Sequence, residues 1–155
     1  MIAYLKGDAT DPVCNSPTRI IIHCCNDIGV WGAGFVLALS RKWPHVETAY
    51  RVKTKYLLGS VEFVEVKSDL HVANMIGQRG CGERPDGTPP IDYPAIRACL
   101  IKVREKVEEL GGGNQVSVHG PRFGAGLAGG DWSVIEQILV EELCMNGISV
   151  TIYDL

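Results

Sequence analysis

Two segments of this chain share one order of features: a run of β-branched residues, a glycine-rich stretch and an amphipathic run. The first is RIIIHCCNDIGVWGAGFVLALSRKW, residues 19–43, and the second is VSVHGPRFGAGLAGGDWSVIEQILV, residues 116–140. Strand, loop and helix in this order build a mostly parallel sheet with helices packed on it. Ligands of such sheets bind where loops leave the carboxyl ends of strands. The pair therefore predicts an α/β fold that holds a ligand between two loops.

The remaining segments continue the alternation within one domain, residues 1–155. We predict further strands at 2–6 and 148–155, and a pair within 60–76 that meets near Ser68 and Asp69. Helices are predicted at 34–43, 45–57, 91–110 and 131–147 from apolar spacing and stop signals. The first and last strands are expected to add antiparallel pairs to the sheet. The long glycine- and proline-rich loop at 77–90 is of a length that is more often functional than idle.

Composition excludes several classes of function. The net charge of −3 argues against a general nucleic-acid binder, which is normally basic. No apolar run approaches the roughly 18 residues of a membrane span, and the first residues lack a signal-peptide pattern. The six cysteines form no C-x-x-C pair and no zinc-like spacing with histidine. We therefore expect a cytoplasmic protein in a reducing compartment, with no metal site.

The glycine-rich stretches favour a phosphorylated ligand. Glycines let backbone N–H groups approach a ligand closely, and a helix N-terminus behind them attracts an anion. Neither stretch is a Walker A loop, because no Gly-Lys-Ser/Thr follows. The alternative is that both are tight turns in which small residues serve packing.

Polar side chains follow the first buried strand. His23, Asn26 and Asp27 are candidates for proton transfer or for contacts with a sugar hydroxyl. In the alternative interpretation His23 is a hydrogen-bonded core histidine and Asn26 holds the loop by local bonds. Asp131 is expected to cap the last helix, and Asp8 is by default a turn former.

Four elements of the chain, in order, resemble the macro domain family, which binds ADP-ribose. They are GDAT at 7–10, the first loop, the second loop PRFGAGLAGGDW, and VTIYDL at 150–155. The resemblance implies a three-layer α/β/α fold with a mixed, mostly parallel sheet. It also implies a set of ligand-binding residues. They are Asp8, Ala9, Asn26, Trp31, Gly32, Ala33, Gly34, Phe123, Gly124, Ala125, Gly126, Leu127 and Tyr153.

Within that resemblance, Asp8 would accept a hydrogen bond from the adenine amino group, helped by the backbone at Ala9. Tyr153 would pack on adenine, and the two loops would hold the diphosphate and the terminal ribose. Asn26 would contact that ribose, with His23 behind it. Trp31 and Phe123 could equally be core residues.

The commonest first loop of the family has asparagine where this chain has His23. The pattern His-x-Cys-Asn with Trp-Gly-x-Gly is similar to the branch of ADP-ribose-1''-phosphate phosphatases. A sister branch of ADP-ribosyl-glutamate hydrolases uses a lysine and an aspartate, where this chain has Gln78 and Ala128. The resemblance thus implies removal of the 1''-phosphate without a cofactor or metal. The alternatives are a non-catalytic ADP-ribose-binding module and an ADP-ribosyl hydrolase acting on modified protein or, less favoured by the charge, nucleic acid.

Overall fold

One mixed sheet organises the protein in the computed structural model, which describes residues 1–13, 16–53, 55–82, 84–126 and 128–155. Among these residues the strands are β1 (Ile2–Lys6), β2 (Thr18–Asn26), β3 (Val61–Lys67), β4 (Leu70–Gln78), β5 (Val116–Gly120) and β6 (Val150–Asp154). Their order in the sheet is β1-β6-β5-β2-β4-β3. Every neighbouring pair is parallel except β3 with β4. The predicted mixed, mostly parallel sheet is confirmed.

The direction of the terminal strands corrects one prediction. The β1–β6 and β5–β6 pairs are parallel, whereas antiparallel pairs were expected there. A helix returns the chain to the starting edge of the sheet before β6, so β6 runs in the direction of β5. A short turn between two neighbouring strands, by contrast, makes the pair antiparallel. The turn at Ser68 and Asp69 provides one, and it joins β3 to β4.

Four helices cover the described part of the sheet: α1 (Phe35–Lys42), α2 (Pro44–Arg51), α3 (Tyr93–Glu109) and α4 (Trp132–Glu142). Helix α2 is shorter than predicted because the chain folds back after Arg51, so that the Tyr56 ring packs 4.9 Å from the Tyr50 ring. Helix α4 also ends early. A 3₁₀ turn, Cys144–Asn146, follows it, and Gly147 then adopts a left-handed conformation.

The β2 strand separates two cores. Ile20 and Ile22 face α3 and α4, whereas Ile21 packs with residues of α1 and α2. Side chains alternate across a strand, so an unbroken apolar run must be buried on both faces. The predicted three-layer α/β/α arrangement is therefore confirmed. The same alternation places His23 and Cys25 on the α1–α2 face and Cys24 on the other.

No helix in the described part of the chain is both long enough and apolar enough to cross a bilayer. Nor do the described residues contain a group of three or more His, Cys, Asp or Glu side chains that could hold a metal ion.

Candidate functional site

A cavity of about 570 Å³ lies at the carboxyl ends of β2 and β5, between the two glycine-rich loops. This is the edge at which the sequence predicted a ligand site. The predicted residues that line it are His23, Asn26, Trp31, Gly32, Ala33, Gly34, Phe123, Gly124 and Gly126. The long loop closes one side through Gln78, Cys81 and Gly82. The fold therefore brings three loops around one space.

Other predicted site residues lie outside the cavity lining: Asp8, Ala9, Asp27, Ala125 and Tyr153. The Asp27 carboxylate accepts a hydrogen bond from the Gly80 N–H at 2.8 Å, which ties the first loop to the long loop. The Tyr153 side chain is buried, with its hydroxyl turned inward. Leu127 lies outside the described residues. The ligand roles of all these residues stay predictions.

His23 reaches the cavity from the buried end of β2 and is only 2% exposed. Its Nε2 lies 2.5 Å from Oδ1 of Asn74, an oxygen that can only accept, so the N–H is on Nε2. Burial lowers the pKa of His23 to about 4, although the Asn74 contact opposes this shift. The imidazole is therefore neutral at pH 7, with a lone pair on Nδ1.

The side chain of Asn26 shapes the first loop. Its Oδ1 accepts hydrogen bonds from the N–H groups of Ile28 and Val30 and from the Tyr50 hydroxyl, at 2.8–3.1 Å. Its Nδ2 donates to the Val30 carbonyl at 2.6 Å. These contacts match the interpretation that Asn26 holds the loop by local bonds. A ligand contact through Asn26 stays a prediction.

The loop glycines differ in what surrounds them. A methyl group on Gly32 would come no closer than 4.0 Å to Val30, and on Gly126 it would meet nothing within 4 Å. A methyl group on Gly124 would lie 2.7 Å from Ile91, and Gly124 has a positive φ of 75°. Gly32 and Gly126 thus border open space, whereas Gly124 serves packing. The packing interpretation is therefore confirmed for Gly124, whereas a ligand role for Gly32 and Gly126 stays a prediction.

Arg122 is the cationic residue that the sequence analysis missed. Among the described lining residues it is the one cation, and none is a carboxylate. Its guanidinium forms two hydrogen bonds with Asp154, at 2.7 and 3.1 Å, and lies over the rings of Tyr4 and Trp132. Its position directly after β5, at the start of the second loop, was the available signal. The Asp154 carboxylate offsets this positive charge, so Arg122 offers the cavity N–H donors more than a net charge.

Asn74 and Cys81 are further residues that the sequence did not single out, and Gln78 was named only as the residue at the position of the family's lysine. Gln78 donates to the Gly80 carbonyl at 2.8 Å and carries no charge. Partial burial and the nearby Asp27 charge raise the pKa of Cys81, so its thiol is protonated at pH 7. Asn74 is invisible from local sequence because it meets His23 only through the β2–β4 register.

Solved structures share this fold across the whole chain. A Bacteroides thetaiotaomicron protein of unknown function is 50% identical, with a TM-score of 0.93, over 100% of this chain and 98% of that one. A macrodomain protein from Streptomyces coelicolor is 43% identical, with a TM-score of 0.83, over 100% of this chain and 99% of that one. The chain belongs to the macrodomain family. No protein-family model matches this macrodomain's sequence.

Curated relatives of this macrodomain carry the names of hydrolases. The ADP-ribose 1''-phosphate phosphatase of Candida albicans is 26% identical over 147 residues, which cover 91% of this chain and 93% of the relative. The DNA ADP-ribosyl glycohydrolase of Mycobacterium tuberculosis is 29% identical over 146 residues, which cover 90% of this chain but 38% of the relative. The predicted family is confirmed, and hydrolase activity occurs among its relatives.

Proposed function

We propose that this macrodomain binds ADP-ribose and removes the phosphate from ADP-ribose-1''-phosphate. The observation that carries the proposal is the cavity between the two glycine-rich loops, which has a neutral histidine in its wall, one cation and no carboxylate among its described lining residues. The name of the Candida albicans relative supports the same substrate.

The binding half of the proposal rests on the loop backbones. The N–H groups of 32–34 and 124–126 hold the diphosphate and terminal ribose, and Arg122, which is paired with Asp154, lies at the cavity wall. The adenine lies on the far side of the second loop, where Asp8 and the Ala9 backbone receive its amino edge. Asp8 is exposed and follows directly after β1, so its carboxylate is accessible to a ligand.

The chemical half rests on His23. A water molecule attacks phosphorus, and the bond between phosphorus and the C1'' oxygen breaks. Nδ1 of His23 takes the proton of the water and returns it to the departing oxygen, which leaves as the anomeric hydroxyl. A histidine with a pKa of about 4 is a weak base at pH 7, but the negative phosphate beside it raises that pKa toward the working range. Free ADP-ribose and inorganic phosphate are the products.

A second candidate is cleavage of ADP-ribose from DNA or protein, which the name of the Mycobacterium tuberculosis relative favours. Gln78 and Ala128 line the cavity here without an ionisable group. A mechanism that uses lysine and aspartate at these positions is therefore absent. The same two residues favour the third candidate, an ADP-ribose-binding module without turnover.

One assay separates the three candidates. The protein is incubated with ADP-ribose-1''-phosphate, with ADP-ribosylated protein and with ADP-ribosylated DNA, and both phosphate and free ADP-ribose are measured. We expect phosphate from the first substrate and no release from the others. Release of ADP-ribose from DNA or protein would replace the phosphatase proposal with the second candidate. Binding of ADP-ribose without any product would leave the binding module.

Substitution of His23 tests its role. His23→Ala is expected to lower turnover by at least about 100-fold while ADP-ribose affinity stays within tenfold, which is about 1.4 kcal/mol. His23→Asn, which introduces the residue of the commonest family pattern, gives a folded variant with the same loss. His45→Ala, on the exposed surface of α2, is the control and keeps full turnover. Unchanged turnover in both His23 variants would remove this residue from the mechanism.

A further inference from the structure

A chain of hydrogen bonds, buried at its centre, runs beneath the 7–13 loop segment, outside the cavity lining. The backbone N–H of Val13 donates to the Tyr153 hydroxyl at 2.9 Å. That hydroxyl lies 2.8 Å from Nδ1 of His119, whose side chain is fully buried. Tyr153 lies on β6 and His119 on β5, so the loop is anchored to two strands of the sheet.

The chain continues on the other side of His119. Nε2 of His119 lies 2.6 Å from the Ser117 hydroxyl, and that hydroxyl lies 2.5 Å from the Ser16 hydroxyl. Ser16 donates to the Thr18 carbonyl at 3.1 Å. These contacts connect Val13 in the loop with Thr18, the first residue of β2.

One proton arrangement satisfies these contacts. The Ser16 hydroxyl donates to the Thr18 carbonyl, so Ser117 donates to Ser16 and accepts from Nε2 of His119. The neutral ring then carries a lone pair on Nδ1, to which the Tyr153 hydroxyl donates. Burial lowers the pKa of His119 to about 4, which keeps the ring in the neutral form that this arrangement needs.

The loop held by this chain carries Asp8. One Asp8 carboxylate oxygen accepts from the N–H and hydroxyl of Thr10, at 2.8 and 2.7 Å, so Asp8 is bonded to its own loop. Lys42 donates to the Thr10 carbonyl at 3.0 Å and Arg19 to the Pro12 carbonyl at 3.0 Å. The position of the Asp8 carboxylate over the sheet therefore depends on where these anchors place the loop.

We propose that Tyr153 and His119 are positioning residues that set the preference of the site for adenine by holding the Asp8 loop in place. The inference rests on the proposed ADP-ribose binding. It gives the Tyr153 hydroxyl a role that its burial allows, since only 4% of the residue is exposed. The centroids of the Tyr153 and His119 rings are 5.8 Å apart, so the two side chains pack against each other.

The test measures selectivity for the base. Dissociation constants are determined by calorimetry for ADP-ribose and for its hypoxanthine analogue. The analogue lacks the adenine amino group from which Asp8 would accept a hydrogen bond. The wild-type protein is expected to prefer ADP-ribose by about tenfold, since a site built to bond a polar group discriminates against a ligand that lacks it. Tyr153→Phe keeps the ring, removes the hydroxyl and is expected to lower this preference at least about threefold. His119→Leu gives the same loss.

A double-mutant cycle separates positioning from general destabilisation. Asp8→Ala abolishes the preference, and adding Tyr153→Phe to Asp8→Ala changes the ratio of the two constants by less than about twofold, because both act through one contact. Val107→Ala, on the buried face of α3, is the control with lowered stability. It is expected to lower the melting temperature while the ratio stays at the wild-type value.

Three results would overturn the inference. The first is a wild-type ratio in Tyr153→Phe and His119→Leu, and the second is a further loss when Tyr153→Phe is added to Asp8→Ala. The third is an equal loss of preference in Val107→Ala. A wild-type protein that does not bind ADP-ribose would instead overturn the proposed function, and this inference with it.

Discussion

The two strand–loop units have the same pattern in sequence but serve different physical purposes. Both β2 and β5 carry a buried neutral histidine near the end and lead into a glycine-rich loop. His23 lines the cavity, whereas His119 lies beneath the 7–13 loop segment and bonds Ser117 and Tyr153. One histidine therefore lies in the cavity wall, and the other is hydrogen-bonded within the scaffold.

The glycines of the two loops show the same contrast. In the first loop, Gly32 and Gly34 face open space. In the second loop, Gly124 and Gly130 are required by close packing: a methyl group on Gly130 would lie 2.4 Å from the Gly124 carbonyl oxygen. Gly126 of the second loop also borders open space, so open glycines occur in both loops, whereas Gly124 and Gly130 leave room for the protein's own atoms. The pattern Gly-Ala-Gly does not distinguish the two.

The largest expected effect comes from Gly130→Ala. Backbone cannot yield as a flexible side chain does, so this substitution is expected to lower the free energy of unfolding by about 3 kcal/mol. Gly126→Ala, in the same loop but facing open space, is the matched control and should leave stability within about 0.5 kcal/mol. Urea unfolding measures both. Equal stability of the two variants would show that the second loop is not packed as described.

The two histidines are expected to make stability depend on pH between 6.5 and 4. Each has its pKa lowered by burial from 6.5 to about 4, so the unfolded chain binds more protons in this window. The free energy of unfolding is therefore at its full value above pH 6.5 and falls as pH falls, by at most about 3 kcal/mol for each histidine. His119→Leu should remove about half of this pH dependence, as measured by urea unfolding at about pH 7, 5.5 and 4.5. An unaltered pH profile in this variant would contradict a neutral, buried His119.

Gly32→Ala sharpens the contrast between room for ligand and room for packing. Its added methyl group meets only Val30, at 4.0 Å, so the melting temperature should stay within about 2 °C of the wild type. The same methyl group occupies space that the proposal assigns to ADP-ribose, and affinity should fall about tenfold, or roughly 1.4 kcal/mol. Calorimetry and thermal unfolding on one sample provide both values. Undiminished affinity would exclude a close approach of ligand to this part of the first loop.

The smallest effect is expected from Asp154→Asn, which removes the ion pair between Asp154 of β6 and Arg122 of the second loop. Both side chains are well exposed, at 40% and 43%, and exposed ion pairs stabilise proteins little. The melting temperature should change by less than about 2 °C, as thermal unfolding will show. A larger change would mean that this ion pair, rather than glycine packing, holds the second loop.

Several features of the fold follow from local sequence. The apolar run of β2 predicted a strand buried on both faces, and its alternating contacts with the two cores confirm it. Asp131 was expected to cap the last helix, and its carboxylate does accept from the Ser133 N–H at 2.9 Å. Strand alternation and helix capping involve residues only a few positions apart, so the sequence alone determines them.

Only the tertiary structure decided which distant residues meet. His23 and Asn74 are 51 positions apart and become partners through the register of two strands, and Val13 meets Tyr153 across 140 positions. The parallel direction of β1 and β6 likewise depends on where the chain returns to the sheet. These pairings follow from how whole elements pack against each other, and no local pattern records that packing. The sequence by itself therefore determined the layers and the two loops, whereas the packing of the strands decided that His23 faces the cavity and His119 faces the scaffold.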